Sequence, residues 1–232
     1  RGLHLSYKET VESATRGALK GGICAIFDMP NTKPPVVDRK SLKKKKKELK
    51  RSFVDYGVVF GVNSNNHNEV EYVENDIVAY KVFMPKNDDF FIKKCEIPNF
   101  LKEINKKVFF HAEDDEFFSK NCKEEELLKY HNCIRNVNAE ISAVRFLLSL
   151  RDPKIHVAHI TYPHEGGVTY EVTPHHLLLS LSNTKDSKYK VNPPIREEEV
   201  RKKLFSMFLD GKITTFASDH APHAEYEKRG SY

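Results

Sequence analysis

The chain has 232 residues, 39% of them hydrophobic, and a formal charge of +5, so it can bury a sizeable core and lacks the strong charge imbalance of a polyanion-binding domain. It shows neither an apolar run of about 18 residues nor a charged-then-apolar leader, which predicts a soluble, cytoplasmic protein without a membrane span. Its four cysteines, Cys24, Cys95, Cys122 and Cys133, form no Cys-x-x-Cys pair and are expected as reduced core thiols, not as a disulfide framework or a cysteine zinc site.

In chain order, a helix is predicted over Tyr7 to Lys20 and a strand over Ile23 to Met29. A second helix, Ser41 to Arg51, contains the run Lys43 to Lys47; with Leu42, Leu49 and Phe53 at roughly helical spacing, that run reads as a solvated helix face, with no nucleic-acid partner implied. Strands follow at Tyr56 to Val62, Ile77 to Met84 and Lys107 to His111, with a helix over Asn99 to Asn105 before the last of these. A helix over Asn138 to Leu150 then leads to strands at Ile155 to Ile160 and Val168 to Val172, a helix at Glu197 to Leu209 and a strand at Ile213 to Ser218. Strands alternating with helices predict an α/β fold with a parallel sheet.

Polar residues gather where the strands run out: Asn31, Asn63, His111, His159, Thr173, His175 and Asp219. In a TIM-type (β/α)8 barrel the C-terminal strand ends form one rim that carries the active site. That is the predicted architecture, with residues 1–232 as a single, partial barrel domain. Seven strands are visible where such a barrel has eight, so the first strand is expected before Arg1 and the closing segment after Tyr232.

His111, His159 and Asp219 each end a different predicted strand and supply the nitrogen and oxygen donors that zinc or manganese prefers. Lys81 lies inside the β run Ala79-Tyr80-Lys81-Val82-Phe83-Met84, where an inward ammonium would be costly. As a carbamate it would become an anionic ligand able to bridge two metals. In Ser218-Asp219-His220-Ala221-Pro222-His223, Asp219 could shuttle a proton from metal-bound water, and His223 follows four residues on. His164-Glu165-Gly166-Gly167 reads as a Gly-rich turn. His175 and His176 diverge as neighbours on a loop, so supporting or structural roles suit them better than joint ligation.

At this point Asp28-Met29-Pro30-Asn31-Thr32-Lys33-Pro34-Pro35, Phe110-His111-Ala112-Glu113-Asp114, Val172-Thr173-Pro174-His175-His176, Val191-Asn192-Pro193-Pro194-Ile195-Arg196 and the Asp219 segment together resemble the dihydroorotase family. The metal ligands alone are shared with hydantoinases, dihydropyrimidinases and allantoinase. The resemblance implies reversible hydrolysis of L-dihydroorotate to N-carbamoyl-L-aspartate in pyrimidine biosynthesis with two divalent metals, expected as Zn2+. It implies that His111 and His159 bind one metal, that carbamylated Lys81 bridges both, and that Asp219 binds the other and moves the proton. Arg1 and Asn31 would grip the substrate carboxylate, with Asn192 at the ring and His223 at the carboxylate. A His-x-His pair is then expected just before Arg1. Twelve residues from His159 to Glu171 are fewer than the family resemblance implies, so either the connection is truly shortened or residues are missing from the sequence, with the break between Pro163 and Gly167. The family allows a homo-oligomer or association with aspartate transcarbamoylase, and the rival readings are a related ring opener and a metal-free scaffold.

Overall fold

The structure is a computed structural model that describes residues 5–87, 89–122 and 127–228. Arg1 lies outside the described residues. The chain divides into two compact units, Arg1–Phe109 and Phe110–Tyr232.

The first unit contains α1 (Val11–Lys20), β1 (Ala25–Asp28), α2 (Arg39–Leu49), β2 (Asp55–Gly61), α3 (His67–Val73), β3 (Ala79–Phe83) and α4 (Ile97–Glu103), and the strand β4 (Lys107–His111) runs across the division. β1, β2 and β3 pair in parallel, with Ala25 opposite Asp55 and Gly61 opposite Lys81, so each crossover carries a helix. The apolar run Val58 to Val62 makes β2 buried along most of its length, as expected for a strand covered on both faces. Phe60, Tyr80 and Phe100 continue the core as edge-to-face ring pairs 5.4 and 6.3 Å apart. Both long helices start on capping boxes: Thr10 accepts from the amide of Ser13, and Asp38 accepts from the amide of Ser41.

The solvated-face reading of Lys43 to Lys47 needs one correction. Leu42, Lys45 and Leu49 share the buried face of α2, and the Lys45 ammonium meets the Asp28 carboxylate at 3.2 Å. Spacing of three and seven residues from Leu42 turns Lys45 inward, and Asp28 compensates its charge. Lys43, Lys44 and Lys47 are exposed as expected.

The second unit contains α5 (Leu127–Ile134), α6 (Val137–Ser149), β5 (Ile155–Val157), β6 (Thr169–Val172), α7 (Pro174–Leu178), α8 (Glu198–Leu209), β7 (Thr215–Phe216) and α9 (Glu225–Lys228). The Phe110 carbonyl accepts from Ala158, β5 pairs with β6 and β6 with β7, again in parallel. Ala139, Ala143, Val144 and Leu147 bury one face of α6. Residues 158–168 join β5 to β6 without a helix, matching the short spacing in the sequence. Gly166 fits there because a Cβ would stand 2.3 Å from a Leu148 methyl.

The expectation of four reduced cysteines is overturned. Cys122 and Cys133 form a disulfide with Cα atoms 5.9 Å apart, tying the segment after β4 to α5; Cys24 and Cys95 are free and exposed. No helix among the described residues is long and apolar enough to cross a membrane.

Candidate metal and substrate site

β4 and β5 deliver His111 and His159 to one place. Both are buried, and the Nδ1 atom of His111 stands 3.2 Å from the Nε2 atom of His159. The other nitrogen of His111, Nε2, lies 2.7 Å from Glu113 Oε2. Glu113 is wholly buried, which by itself would raise its pKa, but the hydrogen bond from His111 and the charged fork of Arg135 outweigh burial and lower it. As an ionised, acceptor-only group it requires the hydrogen of His111 on Nε2, leaving the Nδ1 lone pair facing His159. Two nitrogens on one tetrahedral zinc stand about 3.3 Å apart, given Zn–N bonds of about 2.0–2.1 Å. The His111 and His159 pair therefore fits the nitrogen half of such a centre.

The remaining sequence candidates are placed as follows. Asp219 is exposed on the segment after β7, and no group of three His, Cys, Asp or Glu among the described residues is close enough to hold a metal ion. Lys81 is buried on β3 in the first unit, with its ammonium 5.1 Å from the centre of the Phe83 ring. Asn31 and Asn192 are exposed. His223 is also exposed, with Nδ1 3.6 Å from Glu227. Among the described residues three non-glycines adopt positive φ, and two of them are His159 (40°) and Asp219 (47°). Both follow strand ends, in a backbone region that non-glycine residues rarely adopt.

Around the histidine pair lies a buried polar network whose roles sequence reasoning missed. Arg135, just past α5, forks onto both oxygens of Glu113 and lies 4.6 Å over the Phe118 ring. Glu140 on α6 accepts from the amides of Thr161 and Tyr162, at 2.9 and 3.0 Å, and from the Thr161 hydroxyl and His164 Nε2. Burial would raise its pKa, yet His164, Arg196 and Thr161 lower it. Arg196 donates to Thr161, to Asn132 and to the Arg135 carbonyl. His131 and His176 donate to Val191 and Pro193. One signal was legible: Glu113 lies two residues beyond His111, a spacing that keeps side chains on one face of extended chain.

No protein-family model matches the chain. It is 35% identical to a curated dihydroorotase of Pyrococcus furiosus over 238 residues, covering 96% of this chain and 52% of that protein. By sequence, this chain is a relative of the dihydroorotases. It spans about half the length of the curated dihydroorotases it matches. In structure it is similar to the L-hydantoinase (dihydropyrimidinase) of Arthrobacter aurescens, with a TM-score of 0.89 at 24% identity over 98% of this chain and 57% of that one. It is also similar to the dihydroorotase of Saccharomyces cerevisiae, with a TM-score of 0.75 at 19% identity over 94% and 67% of the two chains. These likenesses establish the fold, an α/β architecture of parallel strands and helices of TIM-barrel type.

Proposed function

We propose that the protein carrying this chain is a cytoplasmic dihydroorotase that interconverts L-dihydroorotate and N-carbamoyl-L-aspartate in de novo pyrimidine biosynthesis. The observation that carries the reading is the facing His111 and His159 pair in a chain related to curated dihydroorotases over 96% of its length. Residues 1–232 contribute a single, partial barrel domain.

His111, His159, Asp219 and Lys81, the last as a carbamate, would hold two divalent ions, read as zinc, together with two histidines upstream of Arg1. Ions held there would supply activation of water and polarisation of the ring amide carbonyl. In the hydrolytic direction, Asp219 accepts the proton of the attacking water and delivers it to the departing ring nitrogen as the C–N bond breaks. Arg1 and Asn31 bind the substrate carboxylate, for which a guanidinium fork is suited, His223 assists there, and Asn192 contacts the ring.

The second reading, a hydantoinase-like ring opener, is favoured by the structural similarity to the L-hydantoinase. The two readings differ at the carboxylate, which hydantoin and dihydrouracil lack. Turnover of L-dihydroorotate, dihydrouracil, hydantoin and allantoin by the full-length protein decides between them: preference for dihydroorotate is expected, and preference for a substrate without a carboxylate overturns the assignment. Elemental analysis below one metal per chain would favour a scaffold, and co-purification tests homo-oligomerisation or association with aspartate transcarbamoylase.

A further inference from the structure

We propose that Arg135 is a positioning residue for the candidate metal site, acting through Glu113 to fix which nitrogen of His111 is offered to a cation; the inference rests on the His111 and His159 reading above. The chain of contacts is continuous. Arg135 Nε lies 3.2 and 3.1 Å from the two oxygens of Glu113, and its Nη2 donates to Oε2 as well. That same oxygen takes the His111 Nε2 hydrogen at 2.7 Å, so Arg135 Nη2 and His111 Nε2 converge on it and approach each other to 3.3 Å. The arginine is itself held twice. Its guanidinium lies over Phe118, and its carbonyl accepts from Arg196 at 2.6 Å.

A carboxylate with only His111 as partner could rotate and let the imidazole switch tautomer. The two-pronged fork removes those options, because it occupies both oxygens from one plane. A lysine would supply the charge without the fork. The fixed tautomer leaves the His111 Nδ1 lone pair facing His159, the arrangement that a cation requires of both rings.

The test is made on the full-length protein with metal removed, so that it does not depend on turnover. The 15N shifts of the His111 ring, assigned by comparison with His111→Gln, should report hydrogen on Nε2 and none on Nδ1. In Arg135→Gln the His111 signals should move toward a mixture of tautomers, and zinc affinity, measured by competition with a chromophoric chelator, should fall about 10–100-fold. Arg135→Lys should recover part of both effects. Glu113→Gln, which keeps size and removes the charge, should reproduce the loss, and combining it with Arg135→Gln should add little, as for residues acting in series. An unchanged His111 tautomer in soluble Arg135→Gln, or in Glu113→Gln where the arginine variant fails to fold, overturns the proposal. Absence of zinc binding in the wild type with the tautomer shift intact would instead count against the functional reading alone.

Discussion

His131 and His176 donate their Nε2 hydrogens to the carbonyls of Val191 and Pro193, the two residues that flank Asn192. Burial is the main reason their pKa values fall to about 4 and about 3, and His175, half-buried, falls to about 4 for the same reason. Unfolded, each takes up a proton near pH 6.5, whereas the folded chain resists until the pH reaches about 4 to 3. Stability is therefore full above about pH 6.5, is lost as pH falls from there toward 4, and levels off near 3. His131 alone contributes on the order of 3 kcal/mol across that window. Urea midpoints at pH 7.5, 6 and 5 should decline before the carboxylates titrate, and His131→Gln, which keeps an N–H donor, should flatten the slope. Equal midpoints at pH 7.5 and 5 would contradict the assignment of neutral anchors.

The Cys122–Cys133 link closes a short loop onto the helix that carries His131 and Asn132 and leads into Arg135. Alkylation without reductant should label Cys24 and Cys95, and all four cysteines only after reduction. Cys133→Ser should cost about 2–3 kcal/mol, the loop-closure contribution of a link of this length, read as a drop in Tm.

Glu140 and Glu165 are both ion-paired, but their surroundings predict opposite outcomes. Glu140 is buried against Arg196 and His164, so Glu140→Ala strands a buried guanidinium and should cost about 3–5 kcal/mol in chemical denaturation. Glu165 pairs with Lys212 in open solvent, and Glu165→Ala should leave the denaturation midpoint unchanged.

Asp219→Asn tests the proposed proton carrier when metal content is measured alongside turnover, since the same carboxylate is a proposed metal ligand. Asn tolerates the left-handed backbone at this position, so the change removes the carboxylate without reshaping the chain. We expect kcat for dihydroorotate to fall about 10²- to 10⁴-fold with KM little changed. Near wild-type turnover would remove Asp219 from the mechanism.

The strands were legible because their residues are chemically one-sided. Val58 to Val62, Ala79 to Phe83 and Lys107 to His111 are β-branched or aromatic runs bounded by polar turns, and they appear within a residue or two of their expected limits. The helices α3 and α5 were not foreseen: His67–Val73 is short and rich in charge, and Leu127–Ile134 is short with two histidine and asparagine interruptions of its apolar pattern. The disulfide could not be read because pairing depends on which Cα atoms the fold brings together. The same holds for Glu113, Arg135, Glu140 and Arg196. A charged residue looks alike in sequence whether it faces water or a buried partner. Lys45 shows this within one helix, where a single position in a run of lysines turns inward to Asp28.

The left-handed backbone at His159 and Asp219 has an evolutionary consequence. Its conformational cost is met when the chain folds, before any ligand arrives, so a site arranged in this way binds a preset geometry and sheds little entropy on loading. Glycine at the exposed Asp219 would relieve that cost and should yield a hardier protein without the proposed carboxylate. Selection for robustness and selection for the proposed chemistry therefore pull this residue in opposite directions.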